Sequence, residues 1–170
     1  SSHKIHGPKG AGFVYISPDL PINPILLGGP QENNLRPGTE NMPGIVGTAK
    51  AIELAYEKLD ENIAKISSLR DSFESYVSQN LNIEINGKGP RICNTSNISF
   101  TGLDAEDLLM QFDLNKIMAS HGSACQSNTL TISRVLLNMG LSKDQAGSAI
   151  RFSFSRLNSI EETEKAAKLV

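Results

Sequence analysis

The chain changes character at Pro43, and this change constrains its fold more than any other feature. Before that point Pro18, Pro21, Pro24, Pro30 and Pro37 interrupt every stretch long enough for a helix. Proline has no amide hydrogen to donate and its ring clashes with the preceding helical turn. After it, Ile45, Ala49, Ile52, Ala55 and Leu59 recur at helical spacing, and Ile63, Ile66, Leu69, Phe73, Tyr76 and Val77 continue the pattern. Proline suits the first turn of a helix, so Pro43 is expected to open it, with Asn41 or Met42 just before. The periodic stretch reaches about Gln79 as one long helix or as two, and it reads as a passage from one domain to the next.

On either side of this stretch the elements are shorter. Lys4 to Ser17 reads as a Gly/Pro-rich turn feeding a strand at Phe13–Ile16. Residues 28–42 form a polar loop with three Gly and two Pro, of a length that usually carries function. Downstream, strands are expected at Leu81–Ile85, Asn97–Phe100, Ile117–Ala119 and Ile150–Phe154, with a turn at Asn86-Gly87. Between them, helices should start at Asp104, at Thr131 or Ser133, at Ser142 with Gln145 at its third position, and at the Ser159/Glu162 capping box. Gly140 is placed to end the helix over Arg134–Met139. Interleaved strands and helices specify an α/β or α+β fold.

The totals exclude several functions. With 16 Lys+Arg against 18 Asp+Glu, no basic block tracks a phosphate backbone, so no direct nucleic-acid partner is expected. No apolar run approaches the roughly 18 residues of a membrane span, and no signal peptide is evident. Two cysteines, Cys93 and Cys125, make neither a disulfide framework nor a metal-binding spacing, so no resident metal is expected and a reducing cytoplasm is the simplest location. The start, Ser-Ser-His-Lys, reads as the beginning of a piece of a longer protein.

A few residues stand out chemically. Cys125 sits among small and polar residues in Met118–Ser127, between an apolar stretch and a helical one. Such a setting suits a nucleophilic thiolate, although free cysteine is also among the most buried residue types. His121 is positioned in sequence to lower the pKa of that thiol or to face water. Lys4 precedes a Gly-rich turn; a lysine amine can condense with a carbonyl, but most lysines are simply solvated. Arg36 lies in the Gly/Pro loop, from which a side chain can reach into a site. Arg151 lies on an apolar alternating strand and needs a partner, either a carboxylate of the protein or one of a ligand. Thr39, after Gly38, can offer a hydroxyl to a phosphate.

Taken together, SSHKIHGPKGAGFVYIS, LLGGPQENNLRPGTENMPGIVGTAKA, NTSNISF, SHGSACQS and SAIRFSFSR resemble the cysteine desulfurases of the NifS/IscS type, within the class V aminotransferases. The resemblance covers nearly the whole chain, in family order, and corresponds to the C-terminal half of such an enzyme. It implies the pyridoxal 5'-phosphate-dependent transferase fold type I, with residues 1–45 ending the large domain and residues 46–170 forming a linking helix and a small α/β domain. It further implies that pyridoxal 5'-phosphate is carried covalently on Lys4, that Ser1 and His3 hold its phosphate, and that Thr39 reaches the phosphate of the other subunit of a homodimer. Arg151, with Arg36, would bind the carboxylate of L-cysteine. Cys125 would take the sulfur as a persulfide, leaving L-alanine, for delivery to an iron–sulfur scaffold or tRNA-thiolation protein. It would also serve as ligand to a transient iron–sulfur cluster shared with a partner.

The chain departs from the family pattern at His6, where tyrosine is usual, at Asn33-Asn34, where Arg and Gly are common, and at Thr131-Ile132, where Glu-Pro is usual. Asn tolerates left-handed backbone, so Asn34 is expected to replace the glycine without rearranging the turn. The other cofactor contacts of the family belong to its N-terminal half, so this piece alone is expected to be inactive. A selenocysteine lyase of the same fold and a non-catalytic docking fragment are the alternative readings.

Overall fold

The computed structural model describes residues 1–122 and 132–170, which divide into two compact units, Ser1–Leu59 and Asp60–Val170. In the first, a 3-10 helix at Ser2–Ile5 is followed by loops, a second 3-10 turn at Glu32–Asn34, and helix α1, Met42–Glu57. Asn41 caps α1 by accepting the amide of Gly44 at 3.1 Å, which places Pro43 in the first turn as the sequence predicts. Gly44 is buried against the preceding turn, where an added Cβ would stand 3.1 Å from that of Ala11. The Gly-rich turn therefore packs on α1 because a residue without a side chain lets the backbones approach.

The strand expected at Phe13–Ile16 is not formed. Its residues carry no ladder, and Phe13, Val14 and Tyr15 are 73%, 76% and 84% exposed. Strand composition expresses only a fit to a pleated, half-covered surface, and without a neighbouring strand its amides have no partners. Asn34 adopts φ 64°, the left-handed conformation expected of it, and His6 does so too at φ 64°.

The second unit begins with helix α2, Leu59–Asn80, so the long periodic stretch is two helices, broken at Lys58. There follow β1 (Ile83–Ile85), β2 (Thr95–Phe100), α3 (Ala105–Leu114), β3 (Ser120–His121), α4 (Arg134–Asn138), α5 (Lys143–Gly147), β4 (Ala149–Ser153) and α6 (Ile160–Leu169). Asp104, Ser133, Ser142 and Ser159 cap the helices that the sequence assigns to them, the last two with complete capping boxes. β3 begins after the apolar Ile117–Ala119 segment, since pairing is set by where β4 offers Arg151 and Ile150. Asn86 still pairs with Asn97, and Gly87, at φ 102°, turns the chain into a longer connection rather than a tight hairpin.

The strands form one antiparallel sheet in the order β1-β2-β4-β3. Because side chains alternate across a sheet, its two faces differ completely. On one face Ile98, Phe100, Ile150 and Phe152 meet Phe73 and Val77 of α2, Ala105 and Phe112 of α3 and Ala167 of α6. Phe152 lies at the centre, with ring centroids 4.8 Å from Phe73 and 5.8 Å from Phe112. The other face carries Asn86, Asn97, Ser99 and Arg151, and beside them Ala149 packs with Leu136 and Ala146 of the two short helices.

Candidate functional site

In the first unit the turn carrying Lys4 is closed tightly on itself. The amide of Lys4 donates to the carbonyl of Ser1 (3.3 Å), Ser2 to Ala11 (3.0 Å) and Gly7 to Ser2 (2.9 Å). Ser1, His3 and Lys4 are all exposed, and Lys4 forms no ion pair with a described residue. Ser2 alone points inward: it is 2% exposed and its Oγ has no hydrogen-bond partner among the described residues. A hydroxyl, an imidazole and an amine within four residues of a rigid turn fit a small phosphate-bearing aldehyde. The amine can condense with the carbonyl, and the other two groups can donate to the phosphate.

Arg36 and Thr39 share a cavity of about 460 Å³ with Gly10–Phe13 and the first turns of α1. The structure therefore brings together two of the loop residues singled out in the sequence. Arg36 donates to the neighbouring carbonyl of Pro37, which directs its guanidinium back along the loop. Lys4 itself is not among the residues lining this cavity.

In the second unit Arg151 occupies the polar face of the sheet, opposite Asn97 on one side and Ser120 on the other. It shares a cavity of about 580 Å³ with Asn86, Arg91, Thr95, Asn97 and the apolar Val135 and Met139. Its Nε is buried and has no partner among the described residues. Of the two possibilities open in the sequence, a protein carboxylate is therefore not the one realised among the described residues. The nearby Arg91 is different, since both of its terminal nitrogens grip Glu74, at 2.6 and 2.8 Å. Burial pushes the Glu74 carboxyl upward, but the hydrogen bonds and charge of Arg91, with the charge of Arg70, outweigh it and hold the pKa below the usual carboxylate value.

Cys125 lies outside the described residues, within 123–131, as does Thr131. His121, at the end of β3, has its Nδ1 2.9 Å from the carbonyl of Ala149. A carbonyl only accepts, so Nδ1 carries the proton. Sequence reasoning missed the Asn86–Asn97–Ser99 group around Arg151. The only sequence signal for it was the polar alternation in NTSNISF, and strand register was needed to place it next to Arg151.

Residues 1–165 match the aminotransferase class-V family, and the chain belongs to that family. Its architecture is that of fold type I pyridoxal-phosphate enzymes with NifS-like relatives. A solved NifS-like protein, 36% identical, superposes with a TM-score of 0.86 over 99% of this chain and 43% of that one. The chain is also similar to the cysteine desulfurase of Sinorhizobium fredii, at 42% identity over 100% of this chain and 44% of that relative. Another solved relative, SspA in complex with cysteine, is 29% identical, with a TM-score of 0.66 over 94% of this chain and 44% of that one. The chain thus spans less than half the length of these relatives. No helix among the described residues is long and apolar enough to cross a membrane.

Proposed function

We propose that this chain is the C-terminal part of a pyridoxal 5'-phosphate-dependent cysteine desulfurase. The observation that carries the reading is Arg151, a guanidinium on a core strand whose buried Nε has no partner among the described residues. A buried guanidinium nitrogen left without an acceptor is costly, and a substrate carboxylate can supply the missing partner. Residues 1–45 would close the large domain, and residues 46–170 would supply the linking helix and the small domain.

Lys4 holds the cofactor, Ser1 and His3 donate to its phosphate, and Thr39 serves the phosphate of the second subunit of a homodimer. When bound, pyridoxal phosphate supplies the electron sink that weakens bonds at the substrate α-carbon. Arg151, assisted by Arg36, fixes the carboxylate of L-cysteine and so orients the side chain of the substrate. The Lys4 amine is the base that can carry the α-proton. The Cys125 thiolate attacks the substrate sulfur, and the bond between that sulfur and carbon breaks. The electron pair goes to carbon, which takes a proton. L-alanine leaves, and a persulfide remains on Cys125 for an iron–sulfur scaffold or tRNA-thiolation acceptor in a reducing cytoplasm.

Two substitutions in the full-length protein test this assignment. Cys125→Ser should retain bound cofactor and form no persulfide with L-cysteine, reducing sulfide release at least about a thousandfold. Lys4→Ala should lose covalently attached cofactor. Persulfide formation at the parent rate in Cys125→Ser would overturn the assignment, and faster turnover of selenocysteine by that variant would favour a lyase.

A further inference from the structure

We infer that Asn97 supplies a second, uncharged donor to the carboxylate site of Arg151, oriented by a hydrogen-bond relay that starts at a backbone carbonyl. The inference rests on the reading of Arg151 as the anchor for a substrate carboxylate. The relay begins at the carbonyl of Gln145, which can only accept, and which takes the hydroxyl hydrogen of Ser99 at 2.8 Å. A serine has one hydrogen to give. Ser99 Oγ must therefore accept from Asn86, whose amide nitrogen lies 2.8 Å away. The same nitrogen stands 2.7 Å from the side chain of Asn97, so Asn97 must present its oxygen there. This leaves the Asn97 amide nitrogen facing away from Asn86 and β1.

On the far side of Asn97 lies β4, and the residue paired with Asn97 there is Arg151. Both residues line the same cavity. Ser99 is fully buried and Asn86 and Asn97 are half-buried, so water competes little at the Ser99 end of the relay, which sets the direction of the rest. The result is an amide donor beside a guanidinium with a buried, unpaired Nε, and no carboxylate of a described residue paired with Arg151. Two adjacent donors require a ligand with two acceptors on one centre, and a carboxylate has that form. The relay also explains two polar residues, the buried Ser99 and the half-buried Asn86, that Arg151 alone does not require. Asn97 is thus a substrate-binding residue, and Asn86 and Ser99 position it.

Asn97→Asp in the cofactor-loaded, full-length protein isolates the effect. The new side chain still accepts from Asn86, but it turns an oxygen instead of a donor towards Arg151. KM for L-cysteine should rise roughly tenfold to a hundredfold while kcat stays within about threefold, and the dissociation constant of L-alanine should rise by a similar factor. Asn97→Ala, which removes the donor without adding charge, should raise KM by about five- to tenfold. A KM within about twofold of the parent for either folded variant, or equal losses in kcat and cofactor content, would overturn the inference. Arg151→Ala in the same assay separates the two levels. If Arg151→Ala raises KM and Asn97→Asp does not, Asn97 alone is misassigned. If neither changes KM, the carboxylate reading of Arg151 falls with it.

Discussion

The two compact units of this chain treat their apolar side chains in opposite ways. In Asp60–Val170, Phe73, Phe100, Phe112 and Phe152 converge on one sheet face and are 2–5% exposed. In Ser1–Leu59, Phe13, Tyr15, Ile25 and Leu27 are 73–97% exposed, although their composition is that of a strand or a core segment. The difference shows what a sheet contributes. A ladder satisfies the backbone and aligns every second side chain towards one core, whereas an isolated extended segment does neither. Among the described residues the second unit thus buries a core of its own, whereas the first, in a chain that spans less than half the length of its relatives, leaves these apolar side chains uncovered.

Three measurements can break or sharpen this contrast. The largest effect is expected at Phe152, where Phe152→Ala empties the centre of the aromatic cluster and should cost about 3–5 kcal/mol in denaturant unfolding. Phe13→Ala should cost less than about 0.5 kcal/mol in the same chain. Similar losses at the two positions would remove the distinction between the units.

A smaller effect is expected at the Arg91–Glu74 pair, which joins the loop before β2 to α2. Glu74→Gln should destabilise by about 1–2 kcal/mol near neutral pH, between the values typical of exposed and of fully buried pairs. The Glu74 carboxyl is held below its ordinary value, so its contribution is present above the unfolded-state pKa and is lost as pH falls through the lowered one. Melting curves recorded from neutral to acid pH should show parent and variant converging on acidification. A gap that widens would contradict this account.

The smallest effect tests whether the second unit unfolds as a whole. Ser159→Ala removes one half of the capping box of α6 and should cost about 1 kcal/mol. The loss should appear in the transition of the entire unit when followed by circular dichroism and by near-ultraviolet absorbance. Fraying of α6 alone would show that the helix is only loosely coupled to the sheet.

Much of this organisation was legible in the amino acids. The caps at Asn41, Asp104, Ser142 and Ser159 are local arrangements of a few residues, and each is formed as the sequence specifies. The polar-apolar alternation of Ile150–Phe154 likewise announced a strand with an arginine on its less apolar face. Phe13–Ile16 was misleading because strand formation depends on a neighbour that composition does not supply. The candidate site was legible in part, as a set of residue types. Lys4, Arg36, Thr39 and Arg151 could be singled out by residue type and setting, and Arg36 and Thr39 prove to share one cavity. Asn97 could not, because its significance comes from lying opposite Arg151 with its amide turned by Asn86.

The sequence by itself determined where helices start, which residues face one another along a helix, and which side chains carry an amine, a guanidinium or a thiol. These depend on interactions within a few residues, where spacing and side-chain chemistry suffice. Only the tertiary structure decided that Arg151 is paired with no carboxylate of a described residue and that Asn97 lies opposite it. Both depend on antiparallel register, which brings together residues more than fifty positions apart and which a shift of one residue would turn to the opposite face.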